Sequence, residues 1–152
     1  CPLPTRAGAL ILYARLQGTS AYEEILPLTR SSDHRLRDLS LPALATTRNP
    51  RAVGVLCGMA RDASQPTNTR GLALVSLRLF RNQPQVLETA RALLEDEEAR
   101  LRQRAAQVLN SLGDKEALPL LKTAQTRELD LDTEWALRDA VNSLEARQRR
   151  RR

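Results

Sequence analysis

Residues 101–121 read LRQRAAQVLNSLGDKEALPLL, and this stretch decides the fold. It is typical of one antiparallel helix pair, because Gly113 suits the end of a helix and Asp114 suits the cap of the next one. A single helix pair cannot bury its own apolar stripe, so it must pack against further pairs of the same kind. The stretch therefore predicts a chain built as a stack of repeated helix pairs.

Weaker copies of this pattern occur along the rest of the chain. An arginine near the start of each first helix recurs at an almost constant interval, as Arg6, Arg37, Arg70 and Arg102. A fifth copy lacks the arginine, and its longer spacing falls in loop 126–132, where insertions are tolerated. The predicted first helices are 7–16, 36–46, 70–80, 98–112 and 133–146, and their partners are 22–28, 51–61, 85–94 and 115–124.

The composition agrees with a helical chain. Of the 152 residues, 41% are hydrophobic, only 3% are aromatic and 6 are Gly, while Leu and Ala fill the apolar positions. Straight-chain side chains lose little rotamer freedom in a helix, whereas β-branched and aromatic side chains favour strands. We therefore predict an all-α fold, an α-α superhelix of about five helical hairpins, over residues 1–146.

The positive charge is concentrated at the end of the chain. The formal net charge is +6, and the segment 147–152 alone contains five arginines, which leaves the remainder close to neutral. Such a run predicts a disordered basic tail over 147–152. The tail could contact acidic partners, RNA or anionic lipid without specificity.

The stretch 101–121 resembles a HEAT-like repeat of the type first grouped with phycobilisome lyase subunits. In that repeat a hydrophobic residue and an Arg open the first helix, small Ala residues fill its middle, and Leu-Gly-Asp leads into Ala-Leu-Pro and a closing Leu-Leu. The matching residues are Leu101-Arg102, Ala105-Ala106, Leu112-Gly113-Asp114, Ala117-Leu118-Pro119 and Leu120-Leu121. This resemblance implies a HEAT-like solenoid.

A longer segment, 87–144, also resembles the helical tail that follows the catalytic domain in some bacterial zinc aminopeptidases of the gluzincin group. There a Leu-x-Asp turn precedes the final helix, as it does at 128–132 in this sequence. This second resemblance implies an accessory domain that braces a catalytic domain or restricts substrate entry. A metal-binding helix motif upstream in the parent gene would distinguish it from an independent scaffold.

The chain offers little of what an active site requires. A zinc peptidase needs two His one helical turn apart plus a Glu, but the only histidine is His34. It lies in a polar loop, where we expect a solvent-exposed or capping role, and Asp33 just before it is predicted to cap the helix that follows. The acidic run 95–98 is explained by a helix start. We therefore predict a non-enzymatic chain with no catalytic, cofactor-binding or metal-binding residues.

The two cysteines, Cys1 and Cys57, are predicted not to pair, and Cys57 is expected to be a buried thiol. A chain that begins with Cys1 is compatible with a lipid-anchored or exported lipoprotein. The simpler interpretation is an excised fragment, with a cytoplasmic location as the expectation. The longest apolar run, 9–12, is far shorter than a membrane span.

Two interpretations compete for the repeated arginines. A basic wall of a solenoid can follow a phosphate backbone, which would make this a nucleic-acid-binding protein. However, Asp33, Asp62 and Asp96 precede the next first helices, and an Asp-to-Arg ladder between adjacent repeats explains both residue types. We favour the ladder, because aromatic platforms for base stacking are scarce.

The favoured function is a protein-interaction scaffold. We expect a protein partner to bind the concave face, which is lined by the second helices. The residues predicted to contact this partner are Arg51, Arg61, Gln85, Glu88, Arg91, Lys115 and Lys122. Trp135, the only tryptophan, is interpreted as a cover for the end of the stack, with an anchor for a partner as the alternative.

Overall fold

The computed structural model describes residues 6–150, which form helices joined by turns and short loops without any strand. The chain divides into two compact units, Cys1–Phe80 and Arg81–Arg152. The first unit contains α1 (Arg6–Gln17), α2 (Tyr22–Ile25), α3 (His34–Thr46), α4 (Ala52–Arg61) and α5 (Thr67–Ser76). The second unit contains α6 (Pro84–Ala92), α7 (Ala99–Leu112), α8 (Leu118–Arg127) and α9 (Leu131–Arg149). The prediction of an all-α repeat fold is confirmed for this described part of the chain.

Short 3-10 turns extend or precede several helices. They are Gly18–Ala21, Leu26–Arg30, Leu77–Leu79, Leu93–Glu95 and Lys115–Ala117. The predicted partner helix 22–28 is thus a single α-turn that continues as a 3-10 turn. Helix α5 begins at Thr67, before the predicted start at residue 70, because Pro66 is extended and lets the helix start directly after it.

In the first unit, α3 packs against both α1 and α5, and α4 packs against α5. Because α3 has neighbours on two sides, its Leu41 and Leu44 are completely buried. The carboxylate of Asp33 accepts hydrogen bonds from the backbone N–H of Arg35 at 2.9 Å and of Leu36 at 3.4 Å. The predicted cap at Asp33 is therefore confirmed. Cys57 is a buried thiol in α4, also as predicted.

The C-terminus of α3 is closed by an unusual residue. Arg48 follows the helix with a φ of 58°, in the left-handed region that Gly usually occupies. Its guanidinium Nη1 donates to the Leu79 carbonyl oxygen at 2.7 Å. The side chain thereby ties the end of α3 to the turn that follows α5.

In the second unit, α7 and α8 both pack on α9, and α6 packs on α7. The turn between α7 and α8 follows the Schellman pattern, in which Gly113 has a φ of 71°. Its N–H donates to the Asn110 carbonyl oxygen, and the N–H of Asp114 donates to the Leu109 carbonyl oxygen, each at 3.1 Å. The helix pair predicted from 101–121 is thus present, with its Gly and Asp in the predicted roles.

The end of the chain differs from the predicted boundary after residue 146. Helix α9 continues to Arg149, so Arg147 and Arg149 are helical rather than part of a disordered tail. Arg147 Nη1 donates to the Asn110 carbonyl oxygen at 2.8 Å, and Arg149 Nη2 lies 3.4 Å from a carboxylate oxygen of Glu145. Both contacts stabilise the last turns of the helix. Residues 151–152 of the predicted tail lie outside the described residues.

Candidate functional site

The seven residues predicted to bind a partner have different environments. In the first unit, Arg51 forms an ion pair with Glu23, and its guanidinium carbon lies 4.9 Å from the centroid of the Tyr22 ring. Arg61 is exposed at the end of α4. In the second unit, Gln85 and Glu88 are exposed on α6.

Arg91 is a structural brace within the second unit. Its Nε and Nη2 atoms contact the two carboxylate oxygens of Asp114 at 2.6 and 2.7 Å, and Nη2 also lies 3.0 Å from Glu116. The Asp114 side chain is only 4% exposed. The hydrogen bonds to Asp114 raise the pKa of Arg91 above its usual value. This bidentate pair joins α6 to the turn between α7 and α8, so Arg91 is committed to an internal contact.

Lys122 is also engaged within the unit, since its Nζ lies 2.6 Å from a carboxylate oxygen of Glu145. Hydrogen bonding from Lys122, with a smaller contribution from Arg149, lowers the pKa of Glu145. The pair joins α8 to α9.

The repeated arginines Arg37, Arg70 and Arg102 each donate to backbone carbonyls that precede their own helices in the chain. The Asp-to-Arg ladder between repeats stays a prediction. The carboxylate bound by Arg102 belongs to Glu128, with Nε–Oε2 and Nη2–Oε1 distances of 2.7 Å each. Arg102 Nη1 also donates to the backbone carbonyls of Asp96 and Glu97, both at 2.8 Å. The equivalent Arg37 donates to the Ser31 carbonyl at 3.2 Å.

Arg70 has a related role in the first unit. It is only 6% exposed, and its Nε donates to the Ala60 carbonyl oxygen at 3.1 Å. The pKa of Asp62 is lowered first by hydrogen bonds from Ser64 and Gln65, with a smaller contribution from the charge of Arg70. These arginines therefore fasten the segments that lead into their own helices.

A basic cleft opens at one end of the second unit. Its volume is about 360 Å³, and it is lined by Arg81, Ser111, Leu112, Gly113, Lys115, Leu144, Arg147 and Arg150. None of the carboxylates in the described part of the chain forms an ion pair with any of its four basic residues. Of these four, the sequence prediction included only Lys115, because Arg147 and Arg150 were assigned to the tail.

An apolar patch lies at the start of α9. Leu129 is 95% exposed, Leu131 is 83% exposed and Trp135 is 60% exposed. We call these three residues the Trp135 patch. The sequence analysis interpreted Trp135 as a cover for the last repeat, but most of its surface is accessible. The two leucines were missed, because an apolar residue in a loop gives no sign in the sequence of whether another helix covers it.

A larger cleft, of about 650 Å³, lies in the first unit between α1 and α3. Two of its polar lining residues already have partners, since the Tyr13 hydroxyl donates to Glu24 at 2.7 Å and Asp33 caps α3. Side chains of three or more His, Cys, Asp or Glu residues do not come together as a metal site anywhere in the described residues. Within the same part of the chain, no helix is long and apolar enough to cross a membrane.

Comparison with known proteins identifies the repeat. A search of curated proteins found no match to this chain. The model of the family described as HEAT repeats matches residues 62–144, which is more than half of the sequence. The matched segment includes the Schellman turn at Gly113, the Arg102–Glu128 pair and most of α9. The chain therefore belongs to the HEAT repeat family.

Proposed function

We propose that this protein is a protein-interaction scaffold, and that the Trp135 patch binds an amphipathic, basic helical segment of a partner protein. The observation that carries the proposal is the exposure of Leu131 and Trp135, which lie one helical turn apart at the start of α9, and of Leu129 just before the helix. Burying one such side chain contributes about 1.5–3 kcal/mol. Tryptophan is among the residue types that are enriched at binding hot spots.

Charge around the patch supports a basic partner. Asp130 and Asp132 alternate with the two leucines and are exposed. The hydrogen bonds from Thr133 lower the pKa of Asp130, which keeps its carboxylate ionised at neutral pH. Asp132 has no ion-pair partner among residues 6–150. A partner that offers Lys or Arg beside its apolar residues would complement both carboxylates.

The loop that presents the patch is held in place by buried contacts. Glu128 is fixed by Arg102 and accepts hydrogen bonds from the N–H groups of Leu129 at 3.1 Å and Asp130 at 3.0 Å. Asp130 in turn caps α9 through the N–H of Thr133 at 2.9 Å. A preformed surface loses little conformational entropy on binding, which favours affinity.

The second helices are the other part of this proposal. Arg61, Gln85 and Glu88 are exposed there and stay predicted partner contacts. Three other predicted contacts form ion pairs: Arg51 with Glu23, Arg91 with Asp114, and Lys122 with Glu145. A partner that used these three residues would have to compete with existing ion pairs.

The fluorescence of Trp135 tests the proposal directly, because it is the only tryptophan. The probe is a synthetic amphipathic helix of Leu and Lys, and the comparison peptide has the same composition in scrambled order. We expect the Leu/Lys helix to shift the emission to shorter wavelength, since it removes the indole from water. A helix of Leu and Glu should shift Trp135 emission only at concentrations at least about tenfold higher, because its charges repel Asp130 and Asp132.

A matched pair of variants controls this experiment. Leu131→Ser removes an apolar contact from the patch, and Leu16→Ser removes a comparably exposed leucine, 75% accessible, from α1 in the first unit. We expect weaker peptide binding for Leu131→Ser only. Equal binding of the ordered and scrambled peptides, or equal effects of the two variants, would show that the patch is not a specific site.

A further inference from the structure

We propose that the basic cleft of the second unit binds an acidic segment of a protein, through carboxylate side chains held by Arg81, Lys115, Arg147 and Arg150. This inference rests on the proposed function as a protein-interaction scaffold and adds a second contact of opposite charge. The four basic residues converge on one cleft of about 360 Å³. None of them forms an ion pair with a carboxylate of the described residues.

The carboxylates next to cleft residues in the sequence have cation partners of their own. Asp114 and Glu116 flank Lys115, and both are bound by Arg91, whose single positive charge offsets one of the two. Glu145, the α9 residue after the lining residue Leu144, is bound by Lys122 at 2.6 Å. These pairs leave one carboxylate charge beside four basic residues, so the cleft keeps a net positive charge. An anionic ligand would therefore be attracted to it.

One cation of the cleft is held in position before any ligand arrives. Arg147 Nη1 donates to the Asn110 carbonyl oxygen at 2.8 Å. Gly113 lies beside this guanidinium, since a Cβ at this residue would be in van der Waals contact with Arg147 Nη1 at 3.4 Å. The remaining N–H groups of a fixed guanidinium can bind a carboxylate with little further ordering.

The shape and lining of the cleft favour an acidic peptide over a nucleic acid. The lining residues include Leu112 and Leu144 and no aromatic side chain on which a base could stack. The cleft is compact, whereas a nucleic acid backbone is normally followed by a row of cations. Apolar side chains beside the guanidinium groups suit a segment in which Asp or Glu alternates with aliphatic residues.

The test measures binding of a fluorescein-labelled oligoglutamate peptide to the full chain by fluorescence anisotropy. One variant combines Arg81→Ala, Lys115→Ala and Arg150→Ala and keeps Arg147, which supports the α7 terminus. The matched control combines Arg30→Ala, Arg35→Ala and Arg78→Ala, three exposed basic residues of the first unit. Both triple variants lose the same charge, and both retain the arginines of 151–152. Circular dichroism and thermal unfolding verify that each remains folded.

We expect oligoglutamate to bind, and its affinity to fall as salt is added. The cleft variant should lose at least about tenfold in affinity, because each exposed charge pair contributes up to about fivefold to the binding constant. The control variant should lose less than about twofold. Equal losses in the two variants would show a response to net charge alone and overturn the proposal. So would an unchanged affinity of the cleft variant.

A single-stranded DNA oligonucleotide of the same charge is the second ligand. Tighter binding of DNA than of oligoglutamate, lost in the cleft variant, would make the cleft a nucleic acid site and overturn the proposal. The fluorescence of Trp135 distinguishes failure of this proposal from failure of the proposed scaffold function. If the Leu/Lys helix still shifts Trp135 emission while oligoglutamate does not bind, the proposal of an acidic ligand is wrong and the scaffold function stands.

Discussion

At the scale of single residues, the best-defined interaction is the buried pair between Arg102 and Glu128. The Glu128 side chain is only 3% exposed and receives both nitrogens of the Arg102 fork at 2.7 Å. The hydrogen bonds from Arg102 lower the pKa of Glu128 from 4.5 to about 2, against the opposing effect of burial. Because this carboxylate also binds the N–H groups of Leu129 and Asp130, the pair determines the conformation of the loop before α9.

Replacing Glu128 by Gln tests this pair through the pH dependence of stability. A carboxyl whose pKa is lowered by folding stabilises the protein fully above pH 4.5, and loses that contribution as the pH falls to about 2. We expect Glu128→Gln to lower the free energy of unfolding by about 3 kcal/mol at neutral pH, and the difference from the parent to shrink towards pH 2. Urea unfolding over this pH range measures both quantities.

The exposed pair between Glu95 and Arg127 provides the control for this prediction. Their side chains are 63% and 70% exposed, and the atoms lie 3.9 Å apart. Glu95→Gln should change stability by less than about 1 kcal/mol, as is usual for surface pairs. A similar loss for Glu128→Gln, with no pH dependence, would contradict the role of the buried pair.

The sequence could indicate these residues only in part. Asp33 was predicted as a cap because the cap and the helix it serves are neighbours in the chain. The sequence did not indicate Glu128 as the partner of Arg102. Glu128 is remote from it in sequence, and the register between two helix pairs depends on packing that a repeat pattern does not describe. The basic cleft was missed for the same reason. It combines a residue that precedes α6, residues at the end of α7 and in the turn after it, and residues at the C-terminus of α9.

At the scale of elements, three of the first helices end in a similar way. Gly18 and Gly113 directly follow α1 and α7, Arg48 lies two residues after the end of α3, and all three have a positive φ. The helix starts and the Gly113 turn could be predicted from the sequence, because they depend on local capping chemistry. The continuation of α9 to Arg149 could not, because the contact of Arg147 with Asn110 of α7 depends on how the two helices pack.

Arg48 stores backbone strain at one of these ends. We expect Arg48→Gly to be more stable than Arg48→Ala by about 1 kcal/mol, since both variants lose the hydrogen bond to Leu79 but only Gly relieves the left-handed conformation. Thermal unfolding of the two variants measures the difference. Equal stability of the Gly and Ala variants would show that the residue is not strained.

At the scale of the whole molecule, the sequence predicted an all-α repeat protein, and the family match at 62–144 agrees. Periodicity reports local helix formation, so it did not indicate the division into Cys1–Phe80 and Arg81–Arg152. The candidate surfaces both lie in the second unit. Of the predicted contact residues there, Arg91 and Lys122 form ion pairs, while the Trp135 patch and the basic cleft stay available to partners.

Hydrogen exchange of the full chain, with and without the Leu/Lys helix, tests the central claim most directly. The claim is that the protein binds a partner through a preformed apolar surface at the start of α9. We predict added protection in the segment 128–138 and unchanged exchange in α4 and α6. Protection confined to α4 and α6, or none at 128–138 under saturating peptide, would contradict it.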